Sequence, residues 1–502
     1  MSAADDMQAL AVRALDCDGP AVEFAGHWYD WSDLRRTAHG IARALSDSGA
    51  DANAPVAFVP RNRPAAIAAL LGLIAQGRTI RMIYAFQSPS AIARDILRLK
   101  PAAVIAAPED MTAVVCAALR AGGIAAIAID DQTARPLPGF EYVGAALDCA
   151  PSHERRIEIL TSGTTGPPKQ FPITYEMLGK HIVRANEAIA LPDTNRDATP
   201  VLLYFPLGNI SGLYTTLPAL LRGHRAVLLD RFSVPAWHDF VVRFRPAHSG
   251  IPPASLQALL DANVPAEDMA SIKTMGFGAA PLDPTVHRAF EDRYGIPVLL
   301  SYGATEFGGP VTVMNADLHA QFGVAKFGSV GRPFGGAQLR VIDAETGAEL
   351  PPNHEGILEV ISPRIGPDWI RTSDIALIDE DGFLFHRGRA DGAIVRGGFK
   401  ILPETIERAL LQHPGVSAAS VVGIADHRVG QAPGAVIQYA PSEQPSVAKL
   451  EAHLRELVPA THIPVEWRFV AELPKTPSMK VDRPAVLRMF DRVQSAGAHH
   501  AA

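Results

Sequence analysis

Residues 160–170 read L-T-S-G-T-T-G-P-P-K-Q, with two glycines, four hydroxyl side chains and a lysine between apolar segments. Hydroxyl and amide donors on a flexible, glycine-containing loop can wrap a polyphosphate, and a lysine adds a cation for its charge. The stretch is not a Walker-A loop. Counting from Gly163, the second glycine of that motif would fall at Pro168, and Lys169 is followed by Gln170 rather than Ser or Thr. The two prolines also lack the N–H donors that such a loop uses. R-I-E-I-L just before it reads as a strand. Taken alone, the stretch is either a loop that closes transiently over a polyphosphate or a plain surface turn.

The elements that must position it alternate. Short β-like runs at 54–59, 102–107, 124–129 and 225–229 are separated by Ala/Leu-rich helical stretches. That alternation predicts an α/β fold with largely parallel sheets. Segment 336–361 alternates apolar and polar residues between turn signals and predicts a small antiparallel or barrel-like β region. Further on, A-S-V-V-G-I and G-A-V-I-Q-Y read as two strands. In S-V-A-K-L-E-A-H-L-R-E-L-V-P, Val447, Leu450, Leu454 and Leu457 share one helical face closed by Pro459. Pro403 starts another helix, with Ile406 and Leu410 facing a core. The expected organisation is a large N-terminal domain of layered α/β subdomains over 1–388 and a small α+β domain over 389–502, with the boundary in the polar stretch H-R-G-R-A-D-G.

Composition excludes several classes. Net charge is −7 on 502 residues, so no basic face for nucleic acid is expected. Cys17, Cys116 and Cys149 are too few and too scattered for a disulfide framework or a zinc cluster. The start M-S-A-A-D-D-M lacks a signal pattern. The most apolar run, 65–75, is far shorter than the ~20 residues of a transmembrane span and reads as a buried helix. A cytoplasmic protein without a transmembrane segment is expected.

Four further stretches follow in order: S-Y-G-A-T-E at 301–306, W-I-R-T-S-D at 369–374, G-R-A-D-G-A-I-V-R-G-G-F-K-I-L-P-E-T-I-E at 388–407 and L-P-K-T-P-S-M-K-V-D-R at 473–483. With the opening loop and H-W-Y-D-W-S-D-L at 27–34, they resemble the motifs of the adenylate-forming superfamily, which includes acyl-CoA synthetases. The resemblance spans most of the chain. It implies that Thr161, Ser162, Gly163, Thr164, Thr165 and Lys169 hold the β- and γ-phosphates of ATP. It places Thr305 at the α-phosphate and Glu306 on Mg²⁺. Tyr302 and Gly303, with Ala279 and Ala280, would enclose the adenine; Asp374 would accept from the ribose hydroxyls, with Arg389 in support. Lys480 would reach the reacting centre as a point charge, and Lys400 would sit near the phosphates. Asp391 falls at the family's hinge, and Gly397 and Gly398 in its CoA loop.

By the same resemblance, Asn209, Ser211, Gly276, Phe277, Phe307, Gly308 and Gly309 line the acid pocket. No Asp stands among them to hold an α-amino group, so an amino-acid substrate is disfavoured. A hydrophobic aliphatic, aromatic or ring-bearing acid is expected. Asn209 departs from the family's usual histidine or aromatic, Ser373 from its glycine, and Met479 from the glycine before the lysine. The implied activity is AMP-forming ligation of a small carboxylic acid to CoA, using ATP, Mg²⁺ and coenzyme A. The alternatives are adenylation with an amine or carrier-protein acceptor, and a nucleotide-binding protein without catalysis.

Overall fold

The apolar runs fold as strands buried on both faces, the environment that favours parallel pairing. In the computed structural model, β1 (Val56–Val59), β2 (Ile80–Met82), β3 (Ala103–Ala106) and β4 (Ala125–Ile129) are parallel neighbours in the order β4-β3-β1-β2. β5 (Arg156–Thr161) extends this sheet in parallel beside β2, and β6 (Lys169–Thr174) folds back antiparallel on β5. Ala134–Pro136 closes the other edge. The structure describes residues 3–131, 133–144, 154–161, 169–183, 198–278, 280, 282–396, 399–426, 430–440, 444–476 and 480–491. Helix α1 (Pro64–Ala75) is buried at every position from Pro64 to Ile74, as its all-round apolar sequence requires. No helix among the described residues is long and apolar enough to cross a membrane.

The chain divides into two compact units. The first comprises Met1–Ser249, Glu267–Ile272 and Gly303–Gly309; the second comprises Gly250–Ala266, Lys273–Tyr302 and Pro310–Ala502. The first unit holds the sheet above and a second one, ordered Val201–Leu203, Ala226–Leu228, Pro20–Phe24, His27–Asp30. Asn62, 1% exposed, braces the two. Its Nδ2 donates to the carbonyls of Phe205 and Leu229, both at 3.1 Å, and its Oδ1 accepts from Leu207 N at 3.1 Å. One buried amide thus satisfies three backbone groups and fixes the loop at 205–208. Asn62→Ala orphans all three and is expected to destabilise this unit by about 2–4 kcal/mol. A chemical-unfolding midpoint equal to that of the wild type would sink this prediction.

In the second unit, β7 (Thr274–Phe277) lies parallel to β8 (Val298–Ala304), which neighbours β9 (Gly309–Val313). The alternating segment becomes a four-stranded antiparallel sheet of β10 (Gln338–Ile342), β11 (Gly356–Ile361), β12 (Ile370–Ile378) and β13 (Leu384–Arg389). Beyond β13, a 3₁₀ turn (Ala390–Gly392) leads into β14 (Ile394–Arg396) and α2 (Pro403–Leu411). The antiparallel pair β15 (Val416–Asp426) and β16 (Gly430–Tyr439) is joined by β17 (Glu466–Val470), parallel to β16.

Successive residues of β15 enter two different cores. Val421 packs with Ile406, Leu410, Leu450 and Leu454, and Val422 packs with Leu473, Val486 and Phe490. Helix α3 (Val447–Leu457) buries Leu450 and Leu454 as its periodicity predicts, but Leu457 is 45% exposed. It sits in the last turn, where Val458 turns extended and the buried stripe ends.

Candidate active site

β12 and β13 carry one part of the candidate site, and their register decides its composition. Asp374 stands opposite Arg389, and Ile375 opposite Gly388, but Ala376 stands opposite His386. One extra residue, Arg387, is therefore accommodated in β13 as a β-bulge. Gly388, at φ +148°, supplies a backbone conformation that L side chains avoid. Regular alternation would put His386 and Arg389 on opposite faces, since they are an odd number of residues apart. The bulge restores both to the face of Asp374.

On that face, the Tyr302 hydroxyl donates to Asp374 Oδ2, and His386 Nε2 lies 3.5 Å from Oδ1. The Tyr302 and His386 rings stack, with centroids 5.7 Å apart and planes at 30°. Arg389 Nη2 donates to Ser373 Oγ at 2.5 Å. Thr372 Oγ1 accepts from Asp374 N at 2.9 Å and donates to Leu358 O at 2.8 Å, which fixes the backbone beneath the carboxylate. Burial by itself would raise the Asp374 pKa, its side chain being 13% exposed. Hydrogen bonds from His386 and Tyr302 and the charge of Arg389 outweigh burial and hold it below the usual carboxylate range. A depressed carboxyl contributes stability above its unfolded pKa of about 3.9, and that contribution is lost as pH falls through the folded value. Asp374→Asn is therefore expected to flatten the acid limb of the stability profile below about pH 4. Thermal midpoints of the two proteins between pH 2 and 5 check it; parallel curves would refute it.

A second group lies in the first unit. Thr305–Phe307 forms a 3₁₀ turn that Gly308 ends at φ 67°. Gly309, at φ 121°, admits the Tyr214 ring so closely that a Cβ there would lie 2.3 Å from its edge. Thr305 is half-buried, while Glu306 is exposed and has no described partner. Asn209 caps the helix Ile210–Leu220, its side chain accepting from Gly212 N at 2.7 Å. Its carbonyl oxygen is thereby committed to the helix, and Ser211 occupies the first turn, half-buried. The three glycines of the expected acid pocket divide by burial: Gly276 is exposed, whereas Gly308 and Gly309 are enclosed. Phe277 and Phe307 are 4% and 2% exposed, because strand alternation and the 3₁₀ turn direct their rings inward.

Thr161 and Lys169 are register partners at the loop end of the β5–β6 hairpin. Buried Glu158 pins that hairpin by accepting from Arg81 (2.9 Å), Arg156 (2.7 Å) and Gln170 (2.8 Å). Ser162, Gly163, Thr164 and Thr165 lie outside the described residues, as do Ala279, Gly397 and Gly398. Ala280 is exposed, and Gly303 lies within β8, next to Tyr302. Lys400 lies on the short strand Phe399–Ile401, opposite Val395, and Asp391 is in the 3₁₀ turn after β13. Lys480 is exposed at the end of a small hairpin. Its N–H donates to Thr476 Oγ1 at 3.2 Å, its carbonyl accepts from Thr476 N at 2.6 Å, and Lys475 bridges Val481.

Sequence reasoning missed His386, because only the bulge brings it to Asp374. It also missed Tyr214, whose partner Gly309 is 95 positions away. Among the described residues no three His, Cys, Asp or Glu side chains converge as a metal cage. An exposed lone carboxylate such as Glu306 nevertheless suits Mg²⁺, which keeps several waters and takes its other oxygens from phosphates.

The chain is an adenylate-forming enzyme by its family match. Residues 11–367 match the AMP-binding enzyme family, and residues 405–480 match the AMP-binding enzyme C-terminal domain. The sulfoacetate–CoA ligase of Cupriavidus necator is 30% identical over 480 residues, covering 91% of this chain and 92% of that protein. ATP-bound MatB of Rhodopseudomonas palustris superposes with TM-score 0.79 at 22% identity over 97% of this chain and 99% of its own, a likeness of fold. The amide bond synthetase McbA of Marinactinospora thermotolerans gives TM-score 0.77 at 26% identity over 96% and 99%. The chain belongs to the AMP-binding enzyme family, with a large N-terminal and a small C-terminal domain.

Proposed function

We propose that this protein joins a small carboxylic acid to coenzyme A in two steps, with AMP and pyrophosphate as products. In the first step a carboxylate oxygen attacks the α-phosphorus of ATP, and the bond to pyrophosphate breaks. In the second the CoA sulfur attacks the acyl carbon, and AMP leaves with its electron pair. The observation that carries this reading is the ionised Asp374, flanked by Tyr302, His386 and Arg389 on one face of a family-matched chain. An acceptor-only carboxylate is suited to the two hydroxyls of a ribose. The stacked rings beside it offer a flat surface to a base.

Thr161, Lys169 and the hydroxyl residues between them would hold the β- and γ-phosphates, and Thr305 the α-phosphate. Glu306 would hold Mg²⁺, which supplies charge neutralisation for the phosphates when bound. Lys480 would place its ammonium on the oxygens where negative charge accumulates. The small domain would begin near residue 389 and turn about Asp391, alternating Lys480 with the Gly397–Gly398 loop at the reacting centre. Gly276, Ser211 and the Gly308–Gly309 turn would border the acid, and the similarity to a sulfoacetate–CoA ligase adds small anionic acids to the aliphatic and aryl acids expected.

Asp374→Asn replaces one acceptor oxygen with a donor. It is expected to weaken AMP binding about 10- to 100-fold, corresponding to one charge-assisted hydrogen bond of about 1.5–3 kcal/mol. Calorimetric titration with AMP checks this, and an unchanged Kd would remove Asp374 from the ribose site. The reaction itself is tested by mass spectrometry of products from ATP, Mg²⁺ and a panel of aliphatic, aryl, cyclic and sulfonated acids, with and without CoA. Acyl-CoA and AMP are expected for one acid class. The likeness to an amide bond synthetase supports a second reading, an amine acceptor. Adenylate that yields an amide but no thioester would select it.

A further inference from the structure

The turn proposed as the hinge is bracketed by two glycines, and each presses on a member of one ion-pair cluster. Gly388 precedes it, at the end of β13, and a Cβ there would lie 2.8 Å from Glu404 Oε2. Gly392 ends it, and a Cβ there would lie 3.1 Å from Arg483 Nη1. Glu404 and Glu407 stand on successive positions of one face of α2, the first helix beyond the turn. Arg483 Nη2 donates to Glu404 Oε1 at 2.9 Å and to both Glu407 oxygens at 3.1 and 3.2 Å. Glu407 Oε1 also accepts from Val421 N on β15, at 2.8 Å. Arg483 begins the helix Arg483–Asp491, and its N–H donates to Val481 O at the base of the Lys480 hairpin.

Arg483 therefore joins the hairpin that carries Lys480, through its backbone N–H, to the first helix after the hinge, through its guanidinium, which also lies close to Gly392 of the hinge turn. All three bonds leave one nitrogen, Nη2, so a lysine at this position keeps the charge and part of the contact but loses the rest of the guanidinium.

We propose that Arg483 is a positioning residue for Lys480: its bonds to Glu404 and Glu407 make the hairpin move as one body with the helix that follows the hinge, so that turning the hinge delivers Lys480 to a fixed place. This rests on the reading of Lys480 as the group acting in adenylate formation. Misplacing such a group by about 1 Å costs on the order of 10²-fold in rate. Thioester formation from ready-made adenylate does not use Lys480, so it is insulated from the defect.

The test measures both half-reactions separately in the full chain: pyrophosphate release from ATP and acid, and acyl-CoA formation from synthetic acyl-adenylate. Arg483→Gln is expected to slow the first about 10²-fold and the second less than about threefold, with KM for ATP little changed. Arg483→Lys is expected to recover about tenfold of the loss. Glu407 can take up a proton when its partner is removed, since burial already pushes its carboxyl up to about 7 against the pull of Arg483 and Val421 N–H. Arg483→Gln is therefore expected to fold, and if it does not, the ratio of the two half-reactions is read in Arg483→Lys. Equal losses in both half-reactions would reduce Arg483 to a structural residue and overturn the proposal, as would no loss. Lys480→Ala is measured alongside. If it leaves pyrophosphate release intact, the Lys480 reading itself fails, and the positioning role falls with it; if it abolishes release while Arg483→Gln does not, only the positioning role fails.

Discussion

Lys480→Ala is expected to slow adenylate formation by about 10²–10³-fold, the usual cost of removing one preorganised donor from a developing anion. Substrate binding is expected to change little, because the charge matters most where the transition state accumulates it. Lys480 is well placed for that role in its own domain. It is exposed, and its backbone is tied to Thr476 by two hydrogen bonds. Single-turnover measurement of pyrophosphate release checks the rate, and acyl-CoA formation from synthetic adenylate checks that the second step survives. A variant that keeps the wild-type rate of release would take Lys480 out of the reaction.

Gly388→Ala is expected to be nearly as damaging, by a different route. A side chain at φ +148° costs about 1–3 kcal/mol of backbone strain. Its Cβ would also lie 2.8 Å from Glu404 Oε2 and 3.1 Å from Glu404 Cδ, and Glu404 is held in place by Arg483. The chain can relieve both only by closing the bulge. That moves His386 and Arg389 out of step with Asp374, because each residue gained or lost in a strand turns the following side chains to the other face. The expected result is a loss of about 2–4 kcal/mol in stability, with AMP binding weakened at least as much as in Asp374→Asn. The double variant Gly388→Ala/Glu404→Ala separates the two causes. It is expected to regain stability from the lost contact but not nucleotide binding, since the φ strain stays. Native stability and AMP affinity in Gly388→Ala would show that the bulge does not need glycine.

Much of this protein was legible in the residues themselves. Apolar runs located β1, β3 and β4, because strands buried on both faces must be apolar throughout. The all-apolar run at 65–75 became α1 for the same reason. The motifs around Thr161, Glu306, Asp374 and Lys480 carried the family resemblance and with it the two-domain fold and the chemistry.

What the residues could not give was long-range pairing. His386 and Arg389 share a face only because an extra residue is absorbed in β13, and sequence parity argues the opposite. Asn209 is assigned to the acid pocket by resemblance, and nothing in its sequence context announces that its oxygen also caps a helix, a choice made by local backbone geometry. Leu457 has the spacing of a core residue, but α3 ends where the core does. Arg483 meets Glu404 and Glu407 across 79 and 76 residues of chain. Composition and periodicity report which side chains want burial and how often they recur along one element. Which elements meet, in what register and with what bulge, is set by the packing of the whole chain, and that is where the site acquired its charge partners.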